Sequence, residues 1–358
     1  MKYPEGWEIS KERWEKWWNN ESIDMILQVI APCEKSVCEI KVPSTNSIGE
    51  RWTNIDYRIS LAEKEFAQNK FMGDAFPYFD TSLGPGSFAI YIGCEPVFAE
   101  GTVWYKPFIS DWSTASEVKL DPENKWWKLT QEFAREGMKR GRGKFLVSMP
   151  DLIENLDTIA SLREIGKLLV DLVDNSKYVH RCQEKILRLW FECYDELYNI
   201  LEGKEEGICF SAFSTWAPGK MAKLQCDMSA MISPNMFDEF VVPYLEKQCQ
   251  WLDYSFYHLD GPDAVKHLDS LLSIKELDGI QWTPGAGQPG LESKKWFEIY
   301  HKIQSAEKKL WLLGIPKDSI KELLKELSPK GLCIWTTCST EKEGLELLSS
   351  LKDYTGMF

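Results

Sequence analysis

An α/β fold, a (β/α)8 TIM barrel with an N-terminal extension and an irregular insertion, is what this sequence predicts. Short apolar or β-branched runs that end in polar or turn residues alternate with amphipathic helical segments along most of the 358 residues. Over the C-terminal third the links between them are short, which requires parallel strands. No low-complexity linker or compositional break interrupts the chain, so residues 1–358 read as a single domain, a length that such barrels reach.

The elements follow in order. "MKYPEGWEISKERWEKWW" is charged and Trp-rich and forms the extension. Strand-like runs come next: "MILQVIAP" (25–32), "FPYFDTSLG" (76–84) and "KFLVSMPD" (144–151). They continue with "ICFSAF" (208–213), "KLQCDMS" (223–229), "SFYHLDG" (255–261), "GIQWTPG" (279–285), "LWLLGIP" (310–316) and "LCIWTTC" (332–338). That is one run more than eight barrel positions hold, and 208–213 with 223–229 can share a single βα unit. Helical periodicity covers 161–175, 176–203, 233–252, 261–273, 293–308 and 316–328. The segment 233–252 opens on a Ser cap and a Pro at the first helical position, and its interior Pro243 should kink or split it. Residues 85–145 are rich in Gly, Pro and Trp and read as an excursion over the barrel mouth or side. The basic run "REGMKRGRGK" (135–144) precedes a strand and so falls at the N-terminal face, as solvated surface.

Composition narrows the function. The chain has 42 Lys+Arg against 55 Asp+Glu, a net charge of −13, which argues against a nucleic-acid partner. No apolar run approaches the roughly 18 residues of a membrane span, and the N-terminus lacks the apolar stretch of a signal peptide. A cytoplasmic location without membrane association is the expectation. Ten cysteines are scattered without a CxxC pair, and Cys33/Cys38 and Cys333/Cys338 are too loosely spaced for a zinc finger. GxSxG and GxxxxGK[ST] are absent, and "GPGSFAIYIG" (84–93) lacks GxGxxG spacing.

In parallel α/β barrels the C-terminal strand ends build the active site. Here those ends offer Asp80, Asp151, Asp227, His258, Asp260, Trp282 and Cys338. His258 and Asp260, two apart on a strand, share a face. With Cys338 they make a His/Asp/Cys set of zinc-type donors that leaves one position open for substrate. The alternative is that His258 bonds locally, Asp260 caps the following helix and Cys338 is a small buried residue. Asp227 and Asp80 read as general acid/base groups or substrate anchors, or as acceptors of loop N–H groups. Trp216, Trp282 and Trp335, with Asp260, read as substrate-binding walls, or the indoles as core. Trp104 belongs to the same set. His180, His267 and His301 fall in helices and read as packing residues. A Trp-lined mouth with carboxylates and only nine Arg suits a neutral or cationic small molecule.

"ERWEKWWNNESIDMILQVIAP", "SLREIGKLLVDLVDNSKYVHRCQEKI", "LQCDMSAMISPNMFDEFVVPYLEKQ" and "YHLDG" together resemble the uroporphyrinogen decarboxylase superfamily, which includes corrinoid-dependent methyltransferases. The resemblance covers most of the chain and implies a (β/α)8 barrel. The Arg-rich N-terminal stretch of the true decarboxylases is missing, so tetrapyrrole decarboxylation is not expected. In the methyltransferase branch a His-x-Cys pair and a late Cys hold zinc. His258 matches the first and Cys338 the last, while Asp260 replaces the middle Cys. The resemblance therefore implies an enzyme moving a methyl group between a small methylated substrate and a corrinoid protein. Since the chain has no DxHxxG motif, cobalamin would come only on a separate corrinoid protein docked over the mouth. The alternative is a metal-free or differently metallated lyase or hydrolase, acting on a small, carbohydrate-like substrate through mouth carboxylates. A non-catalytic binding barrel is a third reading. A homodimer is the default assembly for such enzymes.

Overall fold

The computed structural model describes residues 3, 4, 6–33 and 39–357, so Cys38 lies outside the described residues. The strands are β1 (Ile26–Pro32), β2 (Asn69–Gly73), β3 (Tyr78–Phe79), β4 (Glu95–Phe98), β5 (Val103–Lys106), β6 (Leu146–Met149) and β7 (Ile208–Phe210). They continue with β8 (Thr215–Ala217), β9 (Met221–Gln225), β10 (Tyr254–Asp260), β11 (Gly279–Thr283), β12 (Lys309–Leu313) and β13 (Leu332–Thr337).

The architecture is mixed α/β. One sheet runs β2-β1-β13-β12-β11-β10-β9, parallel throughout except for β2, which is antiparallel to β1. A second runs β3-β6-β7-β8, parallel until β8 turns back antiparallel to β7. β4 and β5 form a separate hairpin. The register sorts side chains onto two faces. Lys223 pairs with Phe256 and Phe256 with Gly279, so Lys223, Gln225, Phe256, His258 and Gln281 share one face. Leu224, Tyr257, Ile280 and Trp282 occupy the other, against the helices.

The helix Trp7–Trp18 seals the N-terminal strand ends. Trp14, Trp17 and Trp18 are fully buried, and Trp17 and Trp18 meet Trp311 of β12 at ring-centroid distances of 5.0 and 5.4 Å. Trp18 Nε1 donates to the Trp216 carbonyl at 2.8 Å. An aromatic side chain of this size removes roughly 150–250 Å² from water, about 4–6 kcal/mol at about 25 cal/mol per Å² before entropy is charged against it. Three such residues make the extension part of the core. Arg13 fastens the same helix. Its Nε donates to Asp74 Oδ1 at 2.7 Å and its Nη2 to the Met25 carbonyl at 2.9 Å, while Nη1 donates to the Thr355 carbonyl. Asp74 in turn accepts the Leu27 N–H at 3.0 Å. One buried ion pair thus joins the helix, β1, the turn after β2 and the C-terminus.

Several predicted elements differ. Segment 161–175 belongs to two helices, Asn155–Arg163 and Ile165–Asp174, broken at Glu164, whose φ is 83°. Segment 233–252 splits into Pro234–Phe240 and Val242–Trp251, with Ser233 capping the first. Segment 316–328 holds only Ile320–Leu323 and a preceding 3-10 turn. The 85–145 excursion contains the β4–β5 hairpin and a helix, Lys125–Gly141, capped by Asn124. Its buried face carries Trp127, Phe133 and Ala134 together with the small or polar Thr130, Gln131, Gly137 and Gly141. A Cβ on Gly141 would lie 2.8 Å from the Phe145 ring, so close packing against the start of β6 excludes a larger residue.

Replacing Asp74 by Ala leaves the Arg13 guanidinium half-buried without its partner, and should lower the urea-unfolding free energy by about 3–5 kcal/mol. Lys325→Ala, which removes the exposed Glu322 pair, should change it by less than about 1 kcal/mol.

Candidate functional site

The inner-face register delivers a lysine to the interior near the C-terminal end of β9. Lys223 is 5% exposed, and its Nζ stands 2.8 Å from Asp151 Oδ1, over the Phe210 ring. It also donates to Gln225 Oε1. A buried ammonium is costly unless anions compensate it, and carboxylates converge here. Asp151 and Glu154 follow β6, Asp157 opens the next helix, and Asp227 follows β9. Glu154 Oε1 accepts the Gln225 N–H at 3.1 Å. Asp157 accepts the N–H groups of Asp227 at 2.6 Å and Met228 at 3.0 Å.

Glu154, Asp157 and Asp227 hold protons more firmly than usual. Burial pushes Glu154 well up, with Lys223 opposing. Burial also raises Asp157, against the two N–H bonds it accepts and the pull of Lys223. Asp227 reaches about 7, through desolvation and then the Asp157 charge, with Lys223 opposing. Because Asp227 remains open to solvent on its outer side, it is a carboxyl group that both binds and releases a proton near neutrality and can reach a ligand.

His258 lies on the next strand, paired in register with Gln225 on one side and Gln281 on the other. Its Nδ1 is hydrogen-bonded to Gln281 Oε1, and the Phe213 ring packs 4.9 Å away. Burial and the Lys223 charge push its pKa down to about 4, opposed by the Gln281 bond and Asp260. The ring is therefore neutral at pH 7. Asp260, on the same face, is exposed at the strand end. It does not cap the following turn. Gly261, at φ 79°, occupies the cap position, and no side-chain cap bond forms there among the described residues.

A cleft of roughly 650 Å³ opens from the same set of strand ends, lined by Trp52, Tyr57, Tyr78, Asp80 and Trp335 among others. Arg58 builds its wall, donating to the Asp80 and Ser82 carbonyls at 2.6 and 2.8 Å and resting on the Phe133 ring. Asp80 Oδ1 accepts from the Ser82 N–H at 2.9 Å and hydroxyl at 2.7 Å, and Ser82 Oγ accepts the Asp151 N–H at 2.9 Å. This chain of bonds links the cleft to Asp151 and Lys223. A second recess, of roughly 330 Å³, brings Asp227 and Asp157 beside Met231, Trp104 and Tyr105.

The structure thus brings Asp80 and Trp335 into one cleft, and Asp227, His258 and Asp260 around Lys223. It does not bring in the others. Trp282 is fully buried on the helix-facing side against Trp296. Trp216 packs on Trp7 near the N-terminal strand ends, its Nε1 donating to the Glu206 carbonyl. Both indoles are core rather than substrate walls, because strand parity and the N-terminal helix claim them. Cys338 is buried at the end of β13, its N–H on the Ile30 carbonyl and its thiol raised by burial and by Glu343. Among the described residues no three His, Cys, Asp or Glu side chains gather closely enough to hold a metal ion, so the His258/Asp260/Cys338 set does not fit zinc. Sequence reading missed Lys223, Glu154, Asp157 and Gln281. The available signal was Lys223 and Gln225 alternating with the apolar Ala222 and Leu224 along one strand.

No protein-family model and no curated protein matches the chain. Among solved structures it is similar to a methyltransferase from Methanosarcina mazei, with a TM-score of 0.58 and 13% identity, over 97% of this chain and 99% of that one. The likeness is one of fold, from end to end. No helix among the described residues is long and apolar enough to cross a membrane.

Asp227 keeps its proton in the folded chain at a pH where the unfolded chain has released it. Its contribution to stability is therefore present below about 4, declines as pH rises and is lost above about 7. Asp227→Asn should melt like the parent near pH 4 and at a higher temperature than the parent at pH 8, in thermal scans across that range.

Proposed function

We propose that this chain is a methyltransferase-like enzyme, and that its two parallel ladders close into one (β/α)8 barrel of the methyltransferase-like branch of the uroporphyrinogen decarboxylase superfamily. Closure is supported by Phe210 of β7 packing on Phe256 of β10, 6.5 Å between ring centroids, and by the end-to-end likeness to a solved methyltransferase. The observation that carries the function is Asp227, a carboxyl group open to solvent at the end of β9, lining a recess with Trp104 and Met231 and held near pKa 7.

A methyl group leaves a neutral amine nitrogen or an ether oxygen readily only if that atom gains a proton as the bond breaks. In the proposed reaction the methyl–heteroatom bond breaks, the electron pair stays on the heteroatom, and Asp227 supplies its proton. The substrate would lie in the recess that Asp227 shares with Asp157, Trp104, Tyr105 and Met231, whose aromatic rings and carboxyl groups favour a neutral or cationic molecule. A corrinoid on a separate protein would supply the methyl acceptor. The exposed Trp104, Met231 and Ile165 beside Asp227 form an apolar rim on which such a protein can rest. A second reading, acid–base lysis or hydrolysis of a small substrate, is favoured by the grouping of Asp151, Asp157 and Asp227 around one ammonium.

The test is methyl transfer to cob(I)alamin from a panel of methylated amines and ethers, followed by the visible spectrum. Turnover should fall as pH rises through about 7, because the acid form of Asp227 is required. Asp227→Asn should lower kcat roughly 10²-fold or more. Absence of transfer from every donor, together with product release in water, would establish the second reading instead.

A further inference from the structure

We infer that Gln281 is a positioning residue that holds His258 in one tautomer, with the proton on Nδ1 and the bare Nε2 available to a ligand. Its catalytic consequence rests on the methyl-transfer reading above, with His258 Nε2 orienting the substrate as a hydrogen-bond acceptor, whereas the tautomer itself does not.

The amide of Gln281 cannot be turned end for end. Its Nε2 donates to the Trp282 carbonyl at 2.8 Å and to Thr283 Oγ1 at 3.0 Å. A backbone carbonyl only accepts, so the reversed amide would set Oε1 against the carbonyl oxygen, two acceptors face to face. Oε1 must therefore point at His258, and Nδ1, which it contacts, must be a donor. On a neutral imidazole the second nitrogen then carries no hydrogen. The Phe213 ring packed 4.9 Å away at a tilt of 36° restrains the imidazole from turning over. His258 and Gln281 are register partners on parallel strands, so the sheet itself sets the contact.

The charged groups around the ring are Lys223 from β9 and Asp260 two residues along β10. Neither takes over the role of Gln281 at Nδ1, whose hydrogen bond runs to that amide. A neutral amide fixes the tautomer without charging the ring, whereas a carboxylate there would draw a second proton onto it. The arrangement makes His258 Nε2 a hydrogen-bond acceptor for a ligand that carries an N–H or O–H.

The experiment is NMR of protein carrying 15N-labelled histidine at pH 7, with His258→Asn identifying its signals among the four histidines. The expected result is a protonated Nδ1 and an unprotonated Nε2. Gln281→Leu should give a mixture of tautomers, and Gln281→Glu, whose charge favours the imidazolium, should restore the proton on Nδ1 and raise the pH at which Nε2 gains one. In the methyl-transfer assay Gln281→Leu should lose roughly 10- to 100-fold in kcat with KM little changed. A wild-type His258 protonated on Nε2, or a Leu variant with an unaltered tautomer, overturns the inference. The predicted tautomer in wild type with its loss in the Leu variant upholds it even if turnover does not change, in which case it is the proposed role of His258 in catalysis that fails.

Discussion

A buried ammonium organises the strand-end face of this protein. Burial of Lys223 costs several kcal/mol unless opposite charge surrounds it. Asp151 supplies the direct partner at 2.8 Å, and Glu154, Asp157 and Asp227 crowd the same volume. One cation cannot keep four clustered carboxylates ionised, so some of them retain protons. The outermost, Asp227, is left with a proton affinity suited to neutral pH by burial and the Asp157 charge, against the pull of the ammonium, while burial and then the same ammonium keep His258 uncharged. The shared cause is loss of water, which favours the neutral form of both groups.

The rest of the fold confines this chemistry to one end. The tryptophans of the first helix fill the N-terminal strand ends, and Phe256 stacked on Trp311 at 4.7 Å carries that apolar plug along the inner face. At the level of Phe256 the inner face already holds Lys223, and one step further it is polar throughout, at Gln225, His258 and Gln281. The change from apolar to polar occurs along single strands, so the sheet register aligns the polar groups of neighbouring strands at one level. The aromatic cleft beside Asp80 and Trp335 opens next to that level, joined to it through Ser82 and Asp151.

Much of this was legible in the sequence because it follows from period. Alternation of strand and helix announced the parallel α/β architecture, and strand ends pointed to Asp80, Asp227, His258 and Asp260. What was not legible depends on which face a strand turns inward. Trp282 reads as a strand-end indole, yet its parity opposes that of His258 and sends it to the helices. Lys223 reads as an ordinary charge at the start of "KLQCDMS", yet its parity sends it inside. Gln281 gains meaning only through pairing with a residue 23 positions away, as does the Arg13–Asp74 pair at 61. The zinc reading depended on Cys338 approaching His258, and its position beside Lys317 and Glu343 keeps it in a different electrostatic neighbourhood.

The central claim, that the buried cluster holds Asp227 as a carboxylic acid near neutrality, is open to direct titration. Carboxyl-carbon NMR of protein labelled on aspartate, with the Asp227 signal assigned by its loss in Asp227→Asn, gives the midpoint. The account predicts a midpoint near 7 that falls in Asp157→Asn, where the charge that helps to raise it is removed. An Asp227 signal that titrates near 4, the range of an ordinary aspartate, would contradict it.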